Sequence, residues 1–241
     1  MSYSNSVFIP GPTNLPESVR RAIDLPTIDH RSPAFVEAMP KLFAGLKFIF
    51  ATKSPHIFVF PSTGTGGWEA TIANTLSPGD KVLACRHGVF SDKWIRMCEA
   101  FGLVVDVIEC DWRGPADPAL IEAALLADQN HAIKAVLATH NETATGVRSD
   151  LKAIRESIDR AEHNALFFVD GVSSIASMDF QMDAWGIDAA VTGSQKGFMM
   201  PAGLAIVAVS DKAIDAGKTA TLPRFFFDFK QMGQMTHQGG R

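Results

Sequence analysis

The chain is short of most features that would place it in a class at once. It has three cysteines, Cys85, Cys98 and Cys110, an odd number with no Cys-x-x-Cys spacing. That supports neither a disulfide framework nor a zinc ribbon, and the three read as reduced intracellular thiols. The seven histidines are scattered and form no His-Glu-x-x-His pattern, so no metal site is expected. No apolar run approaches the roughly 20 residues of a membrane span. Met1 to Ser6 lack a basic stretch followed by an apolar one, so no secretory signal is expected and the cytoplasm is the expected location. Twenty-two Lys and Arg stand against 26 Asp and Glu, a net charge of −4. That balance offers no electrostatic basis for nucleic acid or an anionic membrane as partner. Internal repeats and low-complexity segments are also missing.

What is there is an ordinary globular composition, 46% hydrophobic and 20% charged over 241 residues. That is enough chain for one large core or two small ones. Residues 7–16 are Pro-rich and extended, and a short helix is predicted from Pro16. Asp29 to Pro33 is a polar loop. Phe35 to Phe50 is helical in composition, with Pro40 expected to kink or restart the helix.

From Ile57 onward strands and helices alternate. Ile57–Phe60 is a buried-strand candidate, followed by the turn Pro61-Ser62-Thr63-Gly64-Thr65-Gly66-Gly67 and a helix from Trp68. Strand, Gly-rich turn and helix in that order set free backbone N–H groups against a phosphate. The turn is not a Walker loop, because no Gly-Lys-Ser/Thr follows, and Glu69 stands where a dinucleotide fingerprint has its third glycine. Strands are predicted at 81–85, 104–108 and 133–138, and helices at 90–100, 118–127 and 150–163, the last capped by Ser149 or Asp150. Such spacing predicts a mainly parallel α/β sheet, with ligands at the carboxyl ends of its strands. After Ser210 come a short helix over 211–219 and the aromatic run Phe225 to Phe229. Met232, Met235, Gly239 and Gly240 show no clear period.

Two positions stand out chemically. Lys196, in Thr192-Gly193-Ser194-Gln195-Lys196-Gly197, sits on a Gly-flanked turn between the apolar runs 187–191 and 204–209. A lysine held there can be a Schiff-base nucleophile. A lone loop lysine is ordinarily a solvated one; a second stretch singles this one out. Leu166-Phe167-Phe168-Val169-Asp170-Gly171 is an apolar strand ending in a carboxylate. Asp to pair with a pyridinium nitrogen and Lys to hold an aldehyde carbon is what pyridoxal phosphate needs.

Thr-Gly-Ser-Gln-Lys at 192–196, Val-Asp-Gly-Val-Ser-Ser at 169–174, Thr-His-Asn-Glu-Thr-Ala-Thr-Gly at 139–146 and Ser-Thr-Gly-Thr-Gly at 62–66 occur in order. Together they resemble the class V aminotransferases, specifically the serine–glyoxylate, alanine–glyoxylate and aspartate–glyoxylate group. The resemblance runs from Phe8-Ile9-Pro10-Gly11-Pro12-Thr13 to the end of the chain. It implies the large domain of a fold-type I pyridoxal-phosphate transferase over 21–241, preceded by an extended arm and first helical turn over 1–20. Similar proteins continue into a smaller C-terminal domain that this sequence does not contain. That domain would carry the arginine for the substrate carboxylate and a Tyr/Thr pair for the partner subunit's cofactor.

Residue by residue, the resemblance implies that Lys196 binds the cofactor and moves a proton, and that Asp170 keeps the pyridine nitrogen protonated. Thr65, Gly66 and Gln195 would hold the phosphate. Thr143 would bond the ring oxygen, and Phe90 would stack on the ring where some relatives have tryptophan. Gly11 and Arg31 would line the substrate side. The reaction implied is amino transfer from serine, alanine or aspartate to glyoxylate, giving glycine, by a homodimer whose other partners are small molecules. Two alternatives stay open. A cysteine desulfurase or related lyase tends to carry histidine before the lysine, where this chain has Gln195. A cofactor-binding remnant without turnover is the other.

Overall fold

The computed structural model describes residues 7–237, the last three as backbone alone. The expectations for Met1–Ser6, the Met235 side chain, Gly239 and Gly240 lie outside the described residues. The chain opens with α1 (Glu17–Ile23) and α2 (Pro33–Phe50). Alternation then begins with β1 (Ile57–Pro61), α3 (Gly64–Thr75), β2 (Lys81–Arg86), α4 (Val89–Ala100), β3 (Val104–Glu109) and α5 (Pro118–Ala127). It continues with β4 (Ile133–Thr139), the short strands β5 (Asn141–Glu142) and β6 (Val147–Arg148), α6 (Leu151–Arg160) and β7 (Leu166–Asp170). Last come β8 (Ala189–Gly193), β9 (Leu204–Val209), α7 (Asp211–Ala216) and α8 (Phe229–His237).

Seven strands form one sheet in the order β1-β9-β8-β7-β4-β2-β3. Neighbours from β3 to β8 pair in parallel, while β9 runs antiparallel to both β8 and β1. The mainly parallel sheet is therefore as expected. Its strands are continuous apolar runs because helices cover both faces. Every residue of β7 is buried. Phe167 packs with Phe50, Ile154 and Ile158 on one face, and Phe168 with Trp68, Ile72 and Trp94 on the other. Burying one such aromatic side chain contributes roughly 1.5–3 kcal/mol.

The path of the chain across the sheet reverses after β3. β2 leads through α4 to β3 at the edge, and α5 then carries the chain back past β2 to β4. α4 and α5 pack on opposite faces. The loops after β2 and β4 therefore diverge and leave a crevice at the carboxyl ends of the strands. The loop after β7 and the turn after β8 open at the same end.

Several local expectations are corrected. α2 starts at Pro33, with Ser32 accepting the Phe35 N–H, and it runs through Pro40 unbroken. Pro40 is exposed, so the carbonyl that loses its partner faces water. α3 starts at Gly64, not Trp68, because burial against the sheet outweighs the low helix propensity of three glycines. Asp150, not Ser149, caps α6, accepting the Ala153 N–H at 3.0 Å. α7 ends at Ala216, short of Thr219. The β5–β6 hairpin and α8 had no signal of their own. In α8, Phe229 stacks on Phe58 with ring centres 4.4 Å apart, a tertiary contact that supplies what a weak pattern does not.

Candidate active site

Lys196 lies in the turn between β8 and β9, half-buried. Its Nζ donates to the Gly11 carbonyl at 3.4 Å. The N-terminal arm is fastened here by a second bond, Thr13 N–H to the Gln195 carbonyl at 3.3 Å. Gly11 has φ +156°, and a Cβ there would stand 2.5 Å from the Gln195 carbonyl oxygen and 2.5 Å from Lys196 Cδ. Only glycine fits this close approach. Burial lowers the Lys196 pKa, while the Asp170 charge pulls it back up.

Asp170 closes β7 and is 4% exposed. Its Oδ1 accepts the Val172 N–H at 2.9 Å. The indole N–H of Trp68 lies close but outside bonding geometry, buried and without a partner. Burial pushes the Asp170 carboxyl up to about 7; the Glu142 charge adds to this and Lys196 opposes it. The backbone is pinned on both sides, His140 N–H to the Asp170 carbonyl at 3.0 Å and Gly171 N–H to the Val191 carbonyl at 2.9 Å. His140 in turn bonds Ser174 Oγ through Nδ1 at 2.9 Å. Burial holds His140 down to about 4, so it is a neutral strut.

Thr65 and Gly66 occupy the first turn of α3. Helices α2, α5, α6 and α7 each close their N-termini with a side-chain cap. α3 does not: Thr63 makes no cap bond, and the first N–H groups are left for something else. The turn is pressed into the site. A Cβ at Gly67 would stand 2.5 Å from Val191 Cγ1, and one at Gly64 would overlap the Val172 side chain, two residues past Asp170. Lys93, one turn beyond Phe90 on α4, donates to Thr65 Oγ1 at 3.1 Å.

Phe90 is half-buried in the first turn of α4. Trp94 is buried and stacks on Trp68, with ring centres 5.5 Å apart; it belongs to the core. Thr143, in the turn between β5 and β6, donates to Ser173 Oγ at 2.9 Å. Asn141 Nδ2 reaches the same hydroxyl at 2.9 Å. Gln195 Oε1 is buried with no partner.

The fold thus gathers Gly11, Thr65, Gly66, Phe90, Thr143, Asp170, Gln195 and Lys196 around the carboxyl ends of the strands. Arg31 is not drawn in. It is exposed before α2, its backbone N–H bonded to Asp29 Oδ1 at 2.9 Å, and its side chain forms no ion pair among the described residues. Four residues of the site had no role in the sequence reading: Lys93, His140, Glu142 and Ser173. His140, Glu142 and Ser173 stand inside the quoted motifs, and Lys93 lies three residues after Phe90, on the same helix face.

The donor set fits pyridoxal phosphate. An uncapped helix start and hydroxyls suit a phosphate, a carboxyl poised near 7 suits a pyridinium, and an amine of lowered pKa suits an aldehyde. No cluster of potential metal ligands exists among the described residues. No described helix is long and apolar enough to cross a membrane.

Comparison with known proteins points the same way. The family model described as aminotransferase class-V matches residues 25–234. An L-aspartate–glyoxylate aminotransferase of Paracoccus denitrificans is 58% identical over 232 residues, 96% of this chain and 59% of that protein. A serine–glyoxylate aminotransferase of Hyphomicrobium methylovorum is 50% identical over 242 residues, 99% of this chain and 60% of that one. The solved structure of ureidoglycine–glyoxylate aminotransferase from Bacillus subtilis superposes with a TM-score of 0.90 at 29% identity, covering 98% of this chain and 60% of that one. The chain spans about 60% of the length of these relatives.

Proposed function

This chain belongs to the class V aminotransferase family, whose members depend on pyridoxal phosphate, and from that premise we propose that it forms the cofactor-binding part of a glyoxylate aminotransferase. The amino donor is serine, alanine or aspartate, the acceptor is glyoxylate and the product is glycine. The working unit is a cytoplasmic homodimer. Residues 1–20 are its arm and residues 21–241 its large domain. The observation that carries this reading is one buried carboxyl and one half-buried amine at adjacent strand ends, with the Gly11 carbonyl on the amine.

When bound, the cofactor supplies an aldehyde carbon for the amino group and a pyridinium ring that accepts electrons from the substrate Cα. The protein does the rest. Lys196 would hold the aldehyde carbon. Burial lowers its pKa, and as an amine it would be the group that moves the proton of the substrate Cα. Asp170, ionised by a cationic ring nitrogen, keeps that nitrogen protonated. Thr65, Gly66 and Gln195 would hold the phosphate, Thr143 would bond the ring oxygen, and Phe90 would stack on the ring. Gly11, whose carbonyl meets Lys196 Nζ, would line the substrate side.

The exposed apolar residues Phe8, Ile9, Leu25, Ile28 and Phe48 lie on the arm, on the linker between α1 and α2, and on α2, the surface a second subunit would cover. The Phe225–Phe229 run is divided: Phe229 is buried, while Phe225 and Phe226 are exposed.

The test is glycine formation from glyoxylate with each donor in turn, on the full-length protein, together with its visible absorbance. Glycine formation with ping-pong kinetics supports the reading. A cofactor band without glycine from any of the three donors overturns it in favour of a lyase.

A further inference from the structure

Glu142 is a fully buried carboxylate, 0% exposed, with no ion pair among the described residues. Everything that holds it is a backbone N–H. Oε2 accepts from Phe90 at 3.1 Å and from Ser91 at 3.0 Å. Oε1 accepts from Ala144 at 3.1 Å and lies 3.3 Å from the Phe90 nitrogen. One side chain therefore closes two loops: the start of α4, and the turn that carries Thr143.

α4 has no cap of its own. Its N-cap position is Gly88, which has no side chain, and a Cβ there would overlap the Glu142 side chain. Glycine at 88 makes room for a carboxylate that reaches the Phe90 N–H from 52 residues further along the chain. The positive end of the α4 dipole and the N–H donors stabilise its charge without a cation.

We propose that Glu142 is a positioning residue, a strut that holds Phe90 on α4 and Thr143 on the β5–β6 turn at a fixed separation across the Asp170 crevice. This rests on the cofactor reading above. Phe90 lies on α4 and Thr143 in the β5–β6 turn, and no direct bond joins them among the described residues. Among the described residues, Glu142 is the one side chain bonded to the backbones of both segments. Its charge also acts on Asp170, so its effect reaches the ring end of the site as well as the loops.

The test is Glu142→Gln in the full-length protein, read by induced circular dichroism of the bound cofactor, by cofactor dissociation constant and by thermal melting. Gln keeps the shape and one acceptor oxygen but turns an amide NH2 toward backbone N–H donors. We expect the induced dichroism per bound cofactor to fall at least twofold and cofactor affinity to weaken about tenfold, the size of one lost charge-assisted bond. A lower melting temperature with unchanged dichroism and affinity would make Glu142 a helix cap only and overturn the inference. Should Glu142→Gln not fold, Gly88→Ala, which crowds the same carboxylate, takes its place with the same readouts. If the wild-type protein shows no cofactor band at all, the function reading fails as well, and that outcome is visible before any variant is made.

Discussion

Two buried aspartates stand at opposite ends of the β7–β8 strand pair. Asp188, 6% exposed, is at the amino end of β8. Its Oδ2 accepts the Phe167 N–H at 2.9 Å and its Oδ1 the Ser210 hydroxyl at 2.7 Å. Lys212 Nζ is 3.5 Å from Oδ2. Asp170, at the carboxyl end of β7, accepts one bond from Val172 and forms no ion pair among the described residues. The first carboxylate is used up by its own chain. The second is buried and left short of partners, an arrangement that lifts its pKa and marks it as a candidate for a ligand. The helix starts give a parallel contrast: α2, α5, α6 and α7 are capped by their own side chains, while α3 at the site is not.

The sharpest break of this comparison uses the two lysines. Lys196→Ala is expected to abolish the visible band of the cofactor-loaded protein, turnover, and covalent cofactor labelling on borohydride reduction. Lys212→Ala, at the Asp188 end, should leave all three in place. Labelling that survives in Lys196→Ala would mean another lysine is the anchor.

The aspartates come next. Asp170→Asn should keep the cofactor and lose several orders of magnitude in turnover, because a neutral amide cannot hold a ring nitrogen protonated. Asp188→Asn should change turnover only a few-fold, yet lower folding stability by about 1–3 kcal/mol through a mismatched buried amide. Near-normal turnover in an Asp170→Asn protein with full cofactor occupancy would make both residues structural.

A third comparison is between pH values, in the cofactor-free protein. Asp170 has a folded pKa of about 7, above its ordinary 3.8. Its contribution to stability is fully present below the ordinary value and is lost as pH rises through about 7. The stability of wild type minus that of Asp170→Asn should therefore fall between pH 4 and 7, by on the order of 4 kcal/mol. His140, held down to about 4, has the opposite sign and cancels in this difference. Urea unfolding at a series of pH values measures it, and a flat difference would mean that Asp170 is hydrated.

The smallest effect separates capped from uncapped helices. Asp150→Ala, which removes the α6 cap, should cost about 1 kcal/mol. Thr63→Ala, at the start of α3, should leave the melting temperature of the cofactor-free protein unchanged, because the Thr63 side chain makes no cap bond there.

Much of this was legible in the order of residues. Strand–helix alternation, the apolar run of β7 and the Asp170 and Lys196 positions are local patterns, fixed by burial on both sheet faces and by glycine-bounded turns. The four motifs in register carried the family. Other features have no local signature. The start of α3 at Gly64 contradicts helix propensity and exists because glycine lets that turn reach Val172 and Val191. Phe229 opens a helix because Phe58 is there to stack on. The role of Glu142 could not be read from its neighbours, since its donors lie about 50 residues upstream. The sequence by itself determined which groups would stand at the ends of the parallel strands, because that follows from where apolar runs stop. Only the tertiary structure decided which of them stay unsatisfied. Satisfaction depends on which backbone N–H, carbonyl or cation the fold brings within about 3 Å, and that is how Asp188 became a joint and Asp170 a candidate site.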